Sequence, residues 1–235
     1  MPRPPLFLAS ASPRRRQILT EAGIPFTLHV TSVDEDTLTH EYTGPLDRLG
    51  EYLARQKARA ACDSLAHVGL SGTVLASDTT VLIDGQSLAK PRDHREASAM
   101  LRTLRGREHV VATGIALAGP TPEHMISATA ATRVRMRDFN DAELTAYVAT
   151  GDPLDKAGAY SIQHPNFSPV AAITGCHLGV IGLPVCLVSA LVNGTPLPPD
   201  ALTCDRTCPW SARCTPPFPG PDGITETSTD ATHHP

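Results

Sequence analysis

Five short segments of the 235-residue chain carry the residue types that grip and cut a polyanion. The first is Ser10-Ala11-Ser12-Pro13-Arg14-Arg15-Arg16. Ser12 is a natural N-cap and Pro13 a natural first helical residue, so this reads as a strand-to-helix junction. Unpaired N–H groups at such a junction suit a phosphate. Arginines in a first turn oppose the helix dipole, a local cost that makes sense if an anion sits there. The second is Lys57, four residues past Leu53 and so on the stripe of Leu46, Leu49 and Leu53. There a lysine either snorkels to the surface or reaches into a cleft. The third is Ser77-Asp78-Thr79-Thr80-Val81, an acid inside an apolar strand pattern, which must be paired, hydrogen-bonded or metal-bound. Lys90, fixed before Pro91, is the fourth. The fifth is the run 155–163, opposite charges (Asp155, Lys156) followed by small residues where backbone can approach a ligand.

These segments need positioning elements, and the punctuation supplies them. Residues 6–9 and 27–30 read as short strands, with a helix from Pro13 to Ala22 that stops at Gly23. Residues 45–65 form the longest helical candidate. Residues 74–84 are β-branched and end in Asp84-Gly85, a hairpin signal. Asp93 and Glu96 open a helix that buries Ala97, Met100, Leu101 and Leu104. Two longer strands are expected at 110–117 and 128–136. Asn140 and Glu143 start a helix with Leu144, Tyr147 and Val148 inward, ending at Gly151. Gly182-Leu183-Pro184 leads into the last helix, which carries Leu187, Val188 and Leu191. Two consecutive long strands argue against simple βαβ alternation. The expected class is α/β with a mixed, twisted sheet and flanking helices.

Composition narrows the function. The chain is 41% hydrophobic and 19% charged, enough for a buried core. Its formal net charge of -4 lacks the basic footprint of a nucleic-acid coating protein. No apolar run is long enough to span a membrane, and the first residues lack a secretory apolar stretch, so a cytoplasmic protein is expected. No Walker loop, dinucleotide glycine fingerprint, HExxH or GxSxG is present. His40, His67, His94 and His124 read as surface residues and His109 as structural. Residues 1–192 are expected to form one functional domain. From Asn193 onward come nine of the 22 prolines, together with Trp210 and Cys204, Cys208 and Cys214. This reads as a disordered extension whose cysteine spacing is not one of the usual zinc patterns.

Taken in order, Ser10–Arg15, Gln56-Lys57-Ala58, Ser77–Val81, Lys90-Pro91, Asp155–Gln163 and Gly182-Leu183-Pro184 resemble the motifs of the Maf family of nucleoside triphosphate pyrophosphatases. The resemblance runs from about Leu6 to Val192. It implies a mixed α/β fold like that of inosine-triphosphate pyrophosphatases, with a deep nucleotide cleft. It also implies cleavage of a nucleoside triphosphate to monophosphate and pyrophosphate, a divalent cation (Mg2+ or Mn2+), and a homodimer. By the same resemblance Asp78 is the proton acceptor, and Asp78 with Glu35 the metal-ligand candidates. Arg14, Arg15, Lys57, Thr79, Lys90 and Gln163 would bind substrate. Arg14, Thr79 and Gln163 match the branch acting on dTTP and UTP. The sequence departs from the family pattern at His164, Ala89 and Gly179, which bears on the base rather than on the reaction. The competing expectations are a pyrophosphatase for a non-standard purine or modified nucleotide, and a non-enzymatic septation regulator that uses Ser-Pro-Arg-Arg-Arg as a contact.

Overall fold

The computed structural model describes residues 4–120 and 123–193. The predicted C-terminal extension, with its three clustered cysteines and Trp210, lies outside the described residues.

Seven strands form one mixed sheet in the order β2-β1-β3-β5-β6-β7, with β4 pairing β3. They are β1 (Leu6–Leu8), β2 (Thr27–Leu28), β3 (Thr73–Ile83), β4 (Gln86–Leu88), β5 (Glu108–Ala118), β6 (Met125–Met136) and β7 (Val170–Thr174). The helices are α1 (Pro13–Glu21), α2 (Glu35–Glu41), α3 (Leu49–His67), α4 (His94–Leu104), α5 (Asp141–Ala149), α6 (His177–Ile181) and α7 (Val185–Asn193). Strand β1 runs parallel to β2 and β3, whereas β3, β5, β6 and β7 pair antiparallel in succession. The expected mixed α/β class is observed. Among the described residues no helix is long and apolar enough to cross a membrane.

The local signals act as their chemistry requires. Asp84 and Gly85 both take positive φ, 51° and 71°, and close the tight β3–β4 hairpin. Asn140 and Glu143 make a reciprocal capping box at the start of α5. Asp93 caps α4 through the Glu96 N–H, while the Glu96 carboxylate turns back to Arg92. Several expectations change. Ser12 stands at the N-cap of α1 without a side-chain cap bond. Leu46 lies in a single 3-10 turn ahead of α3 and is 38% exposed, so it does not belong to the buried stripe of Leu49 and Leu53. The strand expected at 27–30 shrinks to Thr27–Leu28, because it has only β1 to pair with. Met100 is half-buried rather than fully inward.

Side-chain alternation in β3 organises the core. Val74 and Ala76 face α3, where Ala54, Ala58 and Ala61 let the helix lie close to the sheet. On the opposite face Leu75 joins a cluster with Leu19, Ile115, Leu183 and Val188. Val81 and Ile83 join a second cluster with Leu101, Val134, Phe139 and Tyr147. Between these two apolar clusters the same face of the sheet carries Ser77, Thr79 and Thr113. A polar seam therefore divides the core.

Candidate active site

The seam coincides with a gap in the sheet edge. On its side away from β5, β3 pairs with β1 only at Thr73, Val74 and Leu75, and with β4 only at Val81, Leu82 and Ile83. Among the described residues the edge from Ala76 to Thr80 has no partner strand, although β5 covers the other edge throughout. A cleft of about 340 Å3 opens there, within the size of a small-ligand site. It draws its walls from the start of α1, the gap in β3, α3, the turn after β4 and the segment 155–163. All eight residues singled out from the sequence line it: Arg14, Arg15, Glu35, Lys57, Asp78, Thr79, Lys90 and Gln163.

Asp78 and Thr79 reach the cleft from opposite faces of β3. Asp78 faces α3, and the Lys57 Nζ donates to its Oδ1 at 2.6 Å. The same ammonium lies 3.0 Å from Glu35 Oε1. The side chains of Lys57 and Asp78 are 13% and 12% exposed, so the pair is shielded from water and its charge-assisted bond is strong. Of the two fates open to Lys57, snorkelling or reaching inward, the structure has the second. Sequence periodicity missed α2, which brings Glu35 to the site, because none of its residues is buried.

Arg15 is held as part of the wall. Its Nε donates to the Gly182 carbonyl at 2.8 Å, Nη1 to Ser10 Oγ at 3.1 Å and Nη2 to Thr79 Oγ1 at 3.2 Å. Burial pulls its pKa below the usual arginine value, and the charge of Asp78 opposes that shift. Two of its five N–H groups remain for a ligand. Gly182 takes φ 130°, and its missing side chain leaves space beside Arg15 and Thr79. Arg14 is freer, with its nearest carboxylate, Asp155, 3.7 Å away across the cleft mouth. Lys90 is exposed at the rim and makes no ion pair among the described residues.

The segment 155–163 divides by role. Lys156 is not a free phosphate ligand: its Nζ donates to the Asp152 carbonyl, Asp152 Oδ1 and Asp155 Oδ1 at 2.6, 2.9 and 2.6 Å. Gly158 has φ 69°, and a Cβ there would meet Val81 at 3.0 Å, so the segment packs tightly on β3. Tyr160 Oη lies 2.7 Å from His109 Nε2, both buried. Burial pushes the Tyr160 hydroxyl above its ordinary pKa and lowers that of His109 to about 4. Gln163 is exposed in the cleft, with its backbone N–H bonded to Ser161 Oγ. His164 packs edge-on against Tyr147, with ring centroids 4.9 Å apart. Thr113 escaped the sequence reading. Its only signal, a hydroxyl in the apolar run of β5, gains meaning once the register sets it opposite Thr79.

Among the described residues no group of three or more His, Cys, Asp or Glu side chains converges as a metal cage. Asp78 and Glu35 nevertheless form an all-oxygen pair at the cleft. Mg2+ is commonly held by one or two carboxylates with substrate phosphates and water, so the donors fit that ion.

A dTTP/UTP pyrophosphatase of Thermomicrobium roseum is 41% identical over 206 residues, covering 86% of this chain and 91% of that protein. A dTTP/UTP pyrophosphatase of Myxococcus xanthus is 43% identical over 199 residues, covering 82% of this chain and 94% of that protein. A solved structure of a HAM1 protein from Coxiella burnetii aligns at 16% identity and a TM-score of 0.44, covering 80% of this chain and 98% of that one. The family model for Maf-like protein matches residues 5–195, a span that contains every residue of the cleft, and the chain belongs to the Maf family.

Proposed function

We propose that the protein hydrolyses dTTP and UTP to the monophosphate and pyrophosphate. The observation that carries this reading is the convergence of Arg14, Arg15, Lys57 and Lys90 around Asp78 in one cleft. The names of the curated relatives support the substrate class. Phosphoryl transfer needs little from a protein beyond positioning and charge stabilisation, and this arrangement offers both.

In the proposed reaction a water attacks the α-phosphorus, the bond from that phosphorus to the bridging oxygen breaks, and pyrophosphate leaves. Lys57 restrains Asp78 through Oδ1, and the other carboxylate oxygen would take the proton of the water. Arg14, Lys90 and the two spare N–H groups of Arg15 would balance charge on the phosphates. Gln163 and Thr79 would contact the base. Asp78 and Glu35 would hold a divalent cation, Mg2+ or Mn2+, which supplies Lewis-acid polarisation and charge neutralisation when bound. The reading includes a homodimer working in the cytoplasm, and sedimentation of the purified protein checks the first of these.

The test is incubation with dTTP, UTP, CTP, ATP, GTP and ITP, with Mg2+ or with chelator, and separation of both products. Pyrophosphate and monophosphate from dTTP and UTP, lost in chelator, are expected. Release of orthophosphate, or preference for ITP, would overturn the reading.

A further inference from the structure

The hydroxyls of the polar seam form a chain with a fixed direction. Thr113 Oγ1 lies 2.7 Å from the Gly179 carbonyl, which can only accept, so the single Thr113 proton goes there. Thr79 Oγ1 lies 3.0 Å from Thr113 Oγ1. With the Thr113 proton committed, Thr79 must be the donor of that bond. Arg15 Nη2 in turn donates to Thr79 Oγ1, which uses one of its lone pairs. Thr113 is fully buried, so water does not compete for its bond to the Gly179 carbonyl. Thr79 is thereby left with one lone pair and no proton for a ligand in the cleft.

A group that can only accept cannot bond a triphosphate, whose oxygens are acceptors too. A nucleotide's donors are its sugar hydroxyls and the N–H groups of its base; the sugar hydroxyls do not vary with the base, so Thr79 can tell one base from another only by facing a base N–H. We propose that Thr113, by fixing the proton of Thr79, makes the cleft select a base bearing a ring N–H. The imide of thymine and uracil has that donor. Cytosine presents a bare ring nitrogen at the same place and would set lone pair against lone pair. Thr113 is a positioning residue for selectivity, since it acts through Thr79. This inference rests on the proposed hydrolysis of dTTP and UTP.

The test compares kcat/KM for UTP and CTP in the wild-type protein, Thr113→Val and Thr113→Ser. Valine keeps the shape and removes the hydroxyl, which frees the Thr79 proton to turn into the cleft. The UTP-to-CTP ratio is expected to fall by about tenfold or more, the scale of one buried polar mismatch. Serine is expected to restore the wild-type ratio, which a merely structural role for Thr113 would not require. N3-methyl-UTP, tested on the wild-type protein, removes the N–H without any mutation and is expected to lose at least about tenfold. An unchanged ratio in folded Thr113→Val, or full use of N3-methyl-UTP, overturns the inference while leaving hydrolysis intact. Failure of the wild-type protein to cleave either dTTP or UTP overturns the reading beneath it.

Discussion

Lys57 stands 2.6 Å from Asp78 and shares its ammonium with Glu35 at 3.0 Å. One cation thus bridges two carboxylates that would otherwise repel each other across the mouth of a partly dry cleft. The bridge fixes the orientation of Asp78 through one oxygen and joins three elements that are distant in the chain: α2, α3 and β3. Removing Lys57 would leave two carboxylates uncompensated, which is costly, whereas losing the charge of one carboxylate leaves the ammonium paired with the other.

Replacing Asp78 by asparagine keeps the size and leaves Lys57 paired with Glu35. A folded protein is expected, with a melting temperature within a few degrees of wild type and kcat lower by at least ~100-fold, the usual scale of a lost general base. Steady-state kinetics with dTTP, beside a thermal melt, checks both halves. Near-normal turnover would remove Asp78 from the proton-transfer role.

Lys90 offers the opposite contrast. It is exposed and has no ion pair among the described residues, so Lys90→Ala should change stability by no more than ~0.5 kcal/mol. If it meets the phosphate chain, KM for dTTP should rise severalfold with a smaller change in kcat. The difference from wild type should shrink as salt screens an exposed charge. A salt-independent loss of kcat would point to a different role.

Much of this site could be read before any coordinates. Pro13 after Ser12 marked the start of α1, Asp84-Gly85 marked the hairpin, and an acid inside an apolar strand marked Asp78. Those signals are local, set by backbone geometry and by the cost of burying charge. What the sequence hid depends on register and on elements with no apolar face. The edge gap at Ala76–Thr80 arises because β1 and β4 are both too short to cover β3, which no single segment announces. Helix α2 buries nothing and so has no periodicity to detect. The adjacent charges of Asp155 and Lys156 are visible in the sequence, but the turn that brings Asp152 onto the same ammonium is not.

His109 should make the fold sensitive to acid. The residue is 3% exposed, and Nδ1 is buried without a hydrogen-bond partner among the described residues. Burial lowers its pKa from 6.5 to about 4, so the unfolded chain binds the proton more readily. The stabilisation is therefore complete above about pH 6.5 and is lost as pH falls toward 4, up to ~3 kcal/mol from this residue. His177 is shifted the same way by burial and adds to the trend. Denaturant melts from pH 7 to 4.5 should show a shallower decline in His109→Gln, which cannot titrate. Parallel curves for the two proteins would show that His109 is not the sensor.

Gly114 in β5 decides whether α3 can sit where Lys57 needs it. A Cβ at Gly114 would fall inside the backbone of Gly50 and Glu51, while one at Gly50 would come within 3.0 Å of the Asp78 carbonyl. Helix and sheet touch here backbone to backbone, so no side-chain rotation could make room. Gly114→Ala is expected to cost at least about 3 kcal/mol, at the upper end of overpacking effects. Any protein that still folds must lift α3 and draw Lys57 away from Asp78, so kcat should fall well beyond the loss of folded material. Gly119→Ala is the control, since among the described residues its new Cβ would meet the His124 side chain at 3.2 Å and the His124 carbonyl at 3.5 Å. A mild effect at Gly119 beside a severe one at Gly114, read by thermal melts and by activity per folded molecule, would tie the approach of this helix to the working geometry of the cleft.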